Sequence, residues 1–402
     1  MTTASKKSVH LHFENFFTPG AAPFWERLPE TRPRKSELDD AILLTRYEDC
    51  RAVLGDRRFV DWTLKNLERI PNLDPRFFER RKNSILSMEG PDHQRLRRLA
   101  MPSLTPAAVD KWRPHVRTVM ERNFTAIGGR KECEAVSAIC RPLPVPVVCA
   151  VLGAPPEDID FFSETAAAWT RWMSGDPAAV PEALKAHDNM DAYMVDLVDK
   201  HRRGAANERG DCLIAELIRA EEDGDRLTSS EIVFIVASLI IAGTDTVRFG
   251  LGNALVLFSK NLDQWRMIAE DPSLAPGAVE ELLRYASVFP GLDRLATEDT
   301  DLNGLDIPQG SRVTVALISA NRDETYFPDA NRFDIKRKPT VQHLTFGGGR
   351  HFCLGAHLAR VELEEALKFL APRMPDLRIT GPIEWMPPHV FQGPTRLPIA
   401  WS

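Results

Sequence analysis

Residues Phe346 to Arg360 read FGGGRHFCLGAHLAR. Three consecutive glycines (Gly347, Gly348, Gly349) lead into one cysteine, Cys353, and the residues from Gly355 onward carry helical periodicity. Glycines let a backbone turn tightly against a flat partner. A helix starting just after the cysteine presents unpaired N–H groups and a positive dipole end to the sulfur, which favours thiolate. The plain reading is a glycine-rich turn with a buried cysteine. The spacing Phe346, Gly349, His351, Cys353, Gly355 favours instead a soft axial ligand for haem iron.

Upstream, the apolar run IVFIVASLIIAG from Ile232 follows Thr228-Ser-Ser-Glu231, a capping-box pattern. From Ile232 to Phe258 only Asp245 and Arg248 are charged, so a helix of about 45 Å running through a core is expected. Its middle reads Ala242-Gly-Thr-Asp-Thr246. Two readings stand side by side. Asp245 pairs with Arg248 one turn on and Thr246 bonds back to the Ala242 carbonyl, or the stretch is a notch beside a cofactor whose acid and alcohol handle protons.

The chain has 402 residues and a formal net charge of −6, with no general basic footprint for nucleic acid. No apolar signal core opens the sequence, and the apolar run is too short to span a bilayer. A soluble, cytoplasmic protein is expected. The six cysteines form no CxxC pair, which argues against a zinc site or disulfide framework. Strand-like runs are few: AILLTR (41–46) and RVTVALI (312–318). Helical periodicity covers 47–55, 93–101, 106–127, 157–173, 182–203, 211–221, 229–258, 262–270, 276–286 and 355–371. The fold class is therefore mainly α with a minor β-sheet built from both ends of the chain.

These motifs resemble those of the cytochrome P-450 family, and the resemblance spans nearly the whole chain. It implies a single P-450 domain over residues 1–402, with a long central helix and a cysteine-loop haem site. Ala242, Gly243, Asp245 and Thr246 match the family's A-G-x-D/E-T, and Glu281-Leu-Leu-Arg284 its E-x-x-R. Arg332, in PDANRFDIKR, is expected to complete a structural network with Glu281 and Arg284. The resemblance implies haem b with Cys353 as iron ligand. His93 and Arg97 (an i,i+4 pair), Arg294 and His343 are expected at the propionates. Phe346, Gly347, His351, Gly355 and Ala242 are expected to line the cofactor.

The same resemblance implies O2 activation, with Thr246 and Asp245 delivering protons. Substrate contacts are expected from Ser238, Ile241 and Ala242, from Phe289, Pro290, Gly291 and Leu292, from Val390 and Phe391, and from Leu86 and Trp169. This list is mostly apolar and suggests a largely hydrophobic small organic substrate. The chain carries no flavin or iron–sulfur motif. Electrons are expected from a [2Fe-2S]-type or similar ferredoxin and an NAD(P)H-dependent reductase, docking near Arg95, Arg98, Arg350 and Arg360. A monomer without a membrane anchor is expected. Residues 60–83 depart from the family pattern. A peroxide-driven peroxygenase and a non-catalytic haem sensor are the alternatives, and neither needs the Asp245–Thr246 pair.

Overall fold

The computed structural model describes residues 35–38, 41–70, 72–173, 177–204, 210–222, 227–338, 340–386 and 391–402. Helices form most of it, and the central one runs Ser229–Lys260. Both halves of its capping box are made: Glu231 N–H donates to Thr228 Oγ1 at 3.2 Å, and Thr228 N–H to Glu231 Oε2 at 2.8 Å. Twenty of its residues are buried. The whole helix, unlike the apolar run alone, is long and apolar enough to cross a membrane, yet its apolar surface is mostly buried in the protein's own core.

Five strands form the main sheet, in the order 35–38, 41–44, 312–315, 292–296, 59–61. Ala41–Leu44 pairs in parallel with Arg312–Val315, which joins the two ends of the chain as expected. The strand at 312 is shorter than its apolar run suggests, because Leu317–Ala320 turns helical. Near the C-terminus Pro398–Ala400 pairs with Glu132–Glu134 and Arg378–Ile379.

Three helical segments differ from the sequence reading. The stretch 106–127 splits into Pro106–Asp110 and Arg113–Thr125. Pro114 has no N–H to give the Asp110 carbonyl, so the helix restarts there. Pro144–Leu152 is a helix although its sequence, PVPVVCAVL, is punctuated by proline. Both prolines lie in its first turn, where N–H groups need no helical partner. Gly153, at φ 93°, ends it. Pro75–Lys82 is also a helix, capped by Asp74, whose carboxylate accepts from Arg76 N–H at 2.9 Å.

The Pro144–Leu152 helix explains Gly243. A Cβ there would lie 2.9 Å from Val148 Cγ2, so this glycine lets two helices cross closely.

The helix Ala275–Tyr285 carries the Glu281–Arg284 pair, with Nε to Oε2 at 2.7 Å and both side chains 2% exposed. Arg284 also donates to the carbonyls of Asn321, Ala330 and Arg332. The third side chain of the network is not Arg332. Arg332 contributes its carbonyl, while its guanidinium lies 73% exposed, 3.9 Å from Asp334. Arg337 takes the place: its Nε bonds both Glu281 oxygens at 3.2 and 3.1 Å, and it reaches the carbonyls of Pro328, Asp329 and Arg332. The two arginines stand five positions apart in irregular chain, and only folding decides which points inward.

Two predictions follow from this core. Arg337→Ala should destabilise the protein by about 3 kcal/mol, since it strips a buried carboxylate of a partner. Arg332→Ala should stay within about 0.5 kcal/mol of the parent. Denaturant melts of both variants check the assignment, and the reverse order would return the role to Arg332.

The second concerns Glu362, which is 1% exposed on the helix Ala356–Leu370. Its Oε2 has no hydrogen-bond partner among the described residues, and burial pushes its pKa well above the usual carboxylate range. The folded state thus holds this proton more tightly than the unfolded chain. Its contribution is full below the unfolded carboxylate pKa and is lost as pH rises toward the folded value. Glu362→Gln should therefore gain stability relative to the parent at neutral and higher pH, and the gap should close in mild acid. A pH-independent gap would contradict a protonated Glu362.

Candidate functional site

The cysteine loop is closed by its own backbone. Cys353 N–H donates to the Phe346 carbonyl at 2.9 Å, and Gly347 N–H to Leu344 at 2.8 Å. Gly347 and Gly349 have φ of 70° and 59°, a region that L side chains rarely adopt. At Gly349 a Cβ would stand 2.4 Å from the Leu54 carbonyl, so the loop is pressed onto the end of the helix Tyr47–Gly55. The glycine run is thus required by protein backbone, beyond any need of a flat ligand. The next helix begins at Ala356 with Gly355 at its N-cap.

Burial pushes the Cys353 thiol up, while the Gly355 N–H and the charges of Arg97 and Arg360 pull it down. Burial is the larger effect, against the sequence expectation of a lowered value. A thiol so placed ionises when a cation sits beside the sulfur.

Arg97 and His93 lie on the helix Gly90–Ala100. Arg97 donates to the Phe352 carbonyl beside Cys353. His93 is 1% exposed, and neither ring nitrogen has a hydrogen-bond partner among the described residues. Its ring lies 4.4 Å from that of His351, and burial, with His351 and Arg97, lowers its pKa to about 4. Arg294, on the strand Leu292–Ala296, is buried with Asp61 3.9 Å away. His351 Nε2 and Arg350 Nε lie 3.0 and 2.6 Å from the Glu89 carboxylate. Burial works against that carboxylate, but His351 and Arg350 outweigh it and hold its pKa at about 2.

His343 stands apart from this group. It is buried, its Nε2 is 3.4 Å from Glu280 Oε2, and its ring is 5.7 Å from Phe346. Glu280 also takes Arg360 at 2.5 Å, and Arg360 lies over the Phe346 ring.

These donors fit the haem that the resemblance implies. A neutral buried imidazole whose two nitrogens lack hydrogen-bond partners among the described residues needs one acceptor and one donor, and a buried guanidinium whose nearest described carboxylate is 3.9 Å away needs acceptors. Two propionates would accept from the guanidinium and from the imidazole N–H. Of the surface arginines expected to greet a partner, Arg95 is bound to Glu231, Arg350 to Glu89 and Arg360 to Glu280; Arg98 is exposed.

On the central helix Thr244 and Thr246 each bond back, to Ile240 and Ala242, at 2.7 and 2.9 Å. Asp245 Oδ1 meets Arg248 Nη2 at 2.8 Å. Burial raises the Asp245 pKa against the pull of Arg248 and Arg141. The contacts of the structural reading are therefore present.

The substrate candidates divide. Ser238, Ile241 and Leu86 border one cavity, together with Phe77, Arg81 and Phe234, which the sequence reading missed. Ser238 Oγ is 3.1 Å from Ser84 Oγ. Phe391 instead stacks on Phe249 at 5.7 Å and packs against Phe289 at 5.1 Å. Gly291 serves the sheet, since a Cβ there would lie 2.9 Å from the Val315 carbonyl. Pro290 accepts from Ile318, and Leu292 pairs with Val315. Val390 and the Trp169 side chain lie outside the described residues. One signal for the missed cavity wall was in the sequence: Asp74-Pro75 is a helix start.

The family model described as Cytochrome P450 matches residues 161–370. Mycinamicin IV hydroxylase/epoxidase of Micromonospora griseorubida is 36% identical over 382 residues, covering 94% of this chain and 93% of that protein. Nocardicin C N-oxygenase of Nocardia uniformis subsp. tsuyamanensis is 33% identical over 389 residues, 95% of each. The solved structure of the mixed-function P450 MycG superposes with a TM-score of 0.82 at 34% identity, covering 96% of this chain and 98% of that one. With the cysteine loop, the central helix and the buried Glu281–Arg284 pair in place, the chain belongs to the cytochrome P450 family, as a monooxygenase that uses O2 and haem held by a cysteine thiolate.

Proposed function

We propose that this monooxygenase holds haem b through Cys353, with the propionates taken by His93, Arg97, Arg294 and His343. It oxidises a small, largely apolar organic substrate, draws electrons from a separate ferredoxin and its NAD(P)H-dependent reductase, and works as a soluble cytoplasmic protein. The observation that carries the cofactor placement is the pairing of a glycine-closed cysteine loop with buried, acceptor-poor cations and imidazoles. Haem supplies the redox chemistry when bound. The relatives are named for different substrates, mycinamicin IV and nocardicin C among them, so the reading stops at the class.

The chain's own residues then divide the work. The loop fixes the sulfur, and Gly355 N–H steadies its negative charge. Thr246 Oγ, now donating to Ala242, is the hydroxyl that turns to hold a proton for the oxygen side. Asp245 is the buried acid that reloads it, and Arg248 sets its charge and position. That acid–alcohol pair favours O2 over peroxide as oxidant and catalysis over a sensor role. Leu86, Ser238 and Ile241 wall the substrate side and keep water out.

In Cys353→Ala the reduced CO complex should lose the red-shifted Soret band of thiolate haem. Retention of that band would remove Cys353 as ligand. Arg294→Ala should release haem more readily on titration with an apoglobin acceptor, and unchanged release would count against a propionate contact.

Thr246→Ala, assayed with a surrogate ferredoxin and reductase, should still bind haem and consume NAD(P)H while product falls and peroxide rises. Asp245→Asn should slow oxygen consumption instead. If Asp245 were only the structural partner of Arg248, Asp245→Asn would melt early yet turn over normally. Full coupling in Thr246→Ala would dismiss the proton role.

A further inference from the structure

The cavity beside the central helix presents mainly apolar surface, from Phe234, Ala237 and Ile241 of that helix and from Phe77 and Leu86. Two serines interrupt it. Ser238 stands on the central helix, and Ser84 on the turn that follows Pro75–Lys82. Their Oγ atoms are 3.1 Å apart, and each residue is 8% exposed. Ser84 is held by its own turn: its carbonyl accepts from Ser87 and Met88 N–H, and its Oγ from Leu86 N–H at 3.3 Å. Ser238 differs from Thr244, Thr246 and Ser259 on the same helix. Those three each donate to a carbonyl of that helix, at 2.7, 2.9 and 2.8 Å, whereas Ser238 Oγ meets Ser84.

Two hydroxyls carry two hydrogens. The bond between the serines uses one of them, whichever residue donates. The other has no acceptor among the described residues, so it is offered to whatever fills the cavity. A ligand that meets this point with hydrocarbon leaves the donor unpaired and loses affinity, while one that brings an oxygen regains the bond. A carbonyl, which accepts and does not donate, matches a single donor, whereas a carboxylate needs several. The charged groups of the wall, Arg80, Arg81 and Asp191, are of both signs, and Arg80 meets Asp191 at 2.6 Å. Burial, with Arg80 and Arg81, drives the His187 pKa to about 3, so this wall group is neutral at pH 7. An uncharged ligand asks nothing further of these groups.

We propose that Ser84 and Ser238 are a specificity-determining pair that donates one hydrogen bond to a carbonyl oxygen of an uncharged substrate, whose apolar body lies against Phe77, Phe234 and Ile241. The inference rests on the reading above of this cavity as the substrate side. It narrows the substrate from a hydrophobic molecule to a hydrophobic carbonyl compound.

The test uses the holoenzyme. The ketones 2-undecanone, 2-tridecanone, cyclododecanone and 4-phenylcyclohexanone are titrated beside the analogues whose C=O is replaced by C=CH2, followed by the Soret difference spectrum and by tryptophan quenching. The wild type should bind at least one ketone about three- to tenfold more tightly than its analogue. Ser84→Ala/Ser238→Ala should abolish that preference while analogue binding stays. Both serines are replaced because either hydroxyl alone can still donate. Ser259→Ala, on the same helix but bonded to the Val256 carbonyl, should keep the preference. If the double alanine variant fails to fold, Ser84→Cys/Ser238→Ala decides, since a thiol is a weak donor: a preference cut several-fold supports the pair, and an unchanged one overturns it. No ketone preference in the wild type, or a preference that survives Ser84→Ala/Ser238→Ala, also overturns it. Ile241→Phe separates the two levels, because it narrows the cavity and should weaken the Soret response to every probe. An unchanged response sinks the reading of this cavity as the substrate side, whereas a weakened response with a ketone preference that survives the double substitution sinks only the serine pair.

Discussion

A buried ion pair, Glu281 with Arg284, organises the side of the protein that carries Cys353. An ion pair so far from water is unfavourable unless every remaining donor and acceptor is used. Here they are used to hold irregular chain. Arg284 fixes three carbonyls between Asn321 and Arg332, and Glu281 receives Arg337 and the Asp334 N–H. From Asn321 the path runs on: its side chain binds Thr345 Oγ1 at 2.9 Å and Leu344 N–H at 2.7 Å. Leu344 then accepts from Gly347, the first residue of the glycine run. A segment with no helix or strand of its own is thus held in place by charge satisfaction instead of a ladder.

The same logic explains which features could be read from the amino-acid sequence. Motifs whose spacing is local survived translation into structure: the capping box at Thr228, the i,i+3 pair Glu281–Arg284 and the i,i+4 pair His93–Arg97. A helix converts such spacings directly into shared faces. What failed depended on distant partners. Arg332 and Arg337 are equivalent in composition and stand in irregular chain, where no periodicity says which one faces Glu281. The helix Pro144–Leu152 hid behind its prolines, and without it the close crossing that Gly243 serves had no partner in view. Gly349 likewise answers to Leu54, which lies 295 positions earlier in the chain, a contact that no local pattern records.

Charge pairing also reshapes the partner surface. A sequence shows four arginines near the cysteine side but not the carboxylates that reach them. Arg95, Arg350 and Arg360 spend their charge within the fold, each on a glutamate. Their contribution to steering an acidic redox partner, as proposed above, is therefore reduced, since a compensated pair projects little field beyond a Debye length. Arg98 keeps its exposure and is the member of the set best placed to act at long range.

The elements around the cavity are bound unequally by these constraints. The loop, the central helix and the Glu281 network are locked by backbone contacts and buried charge, so few side chains there are free to vary without loss of structure. Pro75–Lys82 is different. It is a short capped helix whose Arg76 and Arg80 lean on surface aspartates and whose inner face meets the cavity. The Arg76 pairs are largely exposed and contribute little to stability, whereas Arg80, 18% exposed, is more enclosed between Asp188 and Asp191. A side chain exchanged on the inner face of this helix changes the cavity wall at Phe77 while the cysteine loop and the Glu281 network keep their contacts.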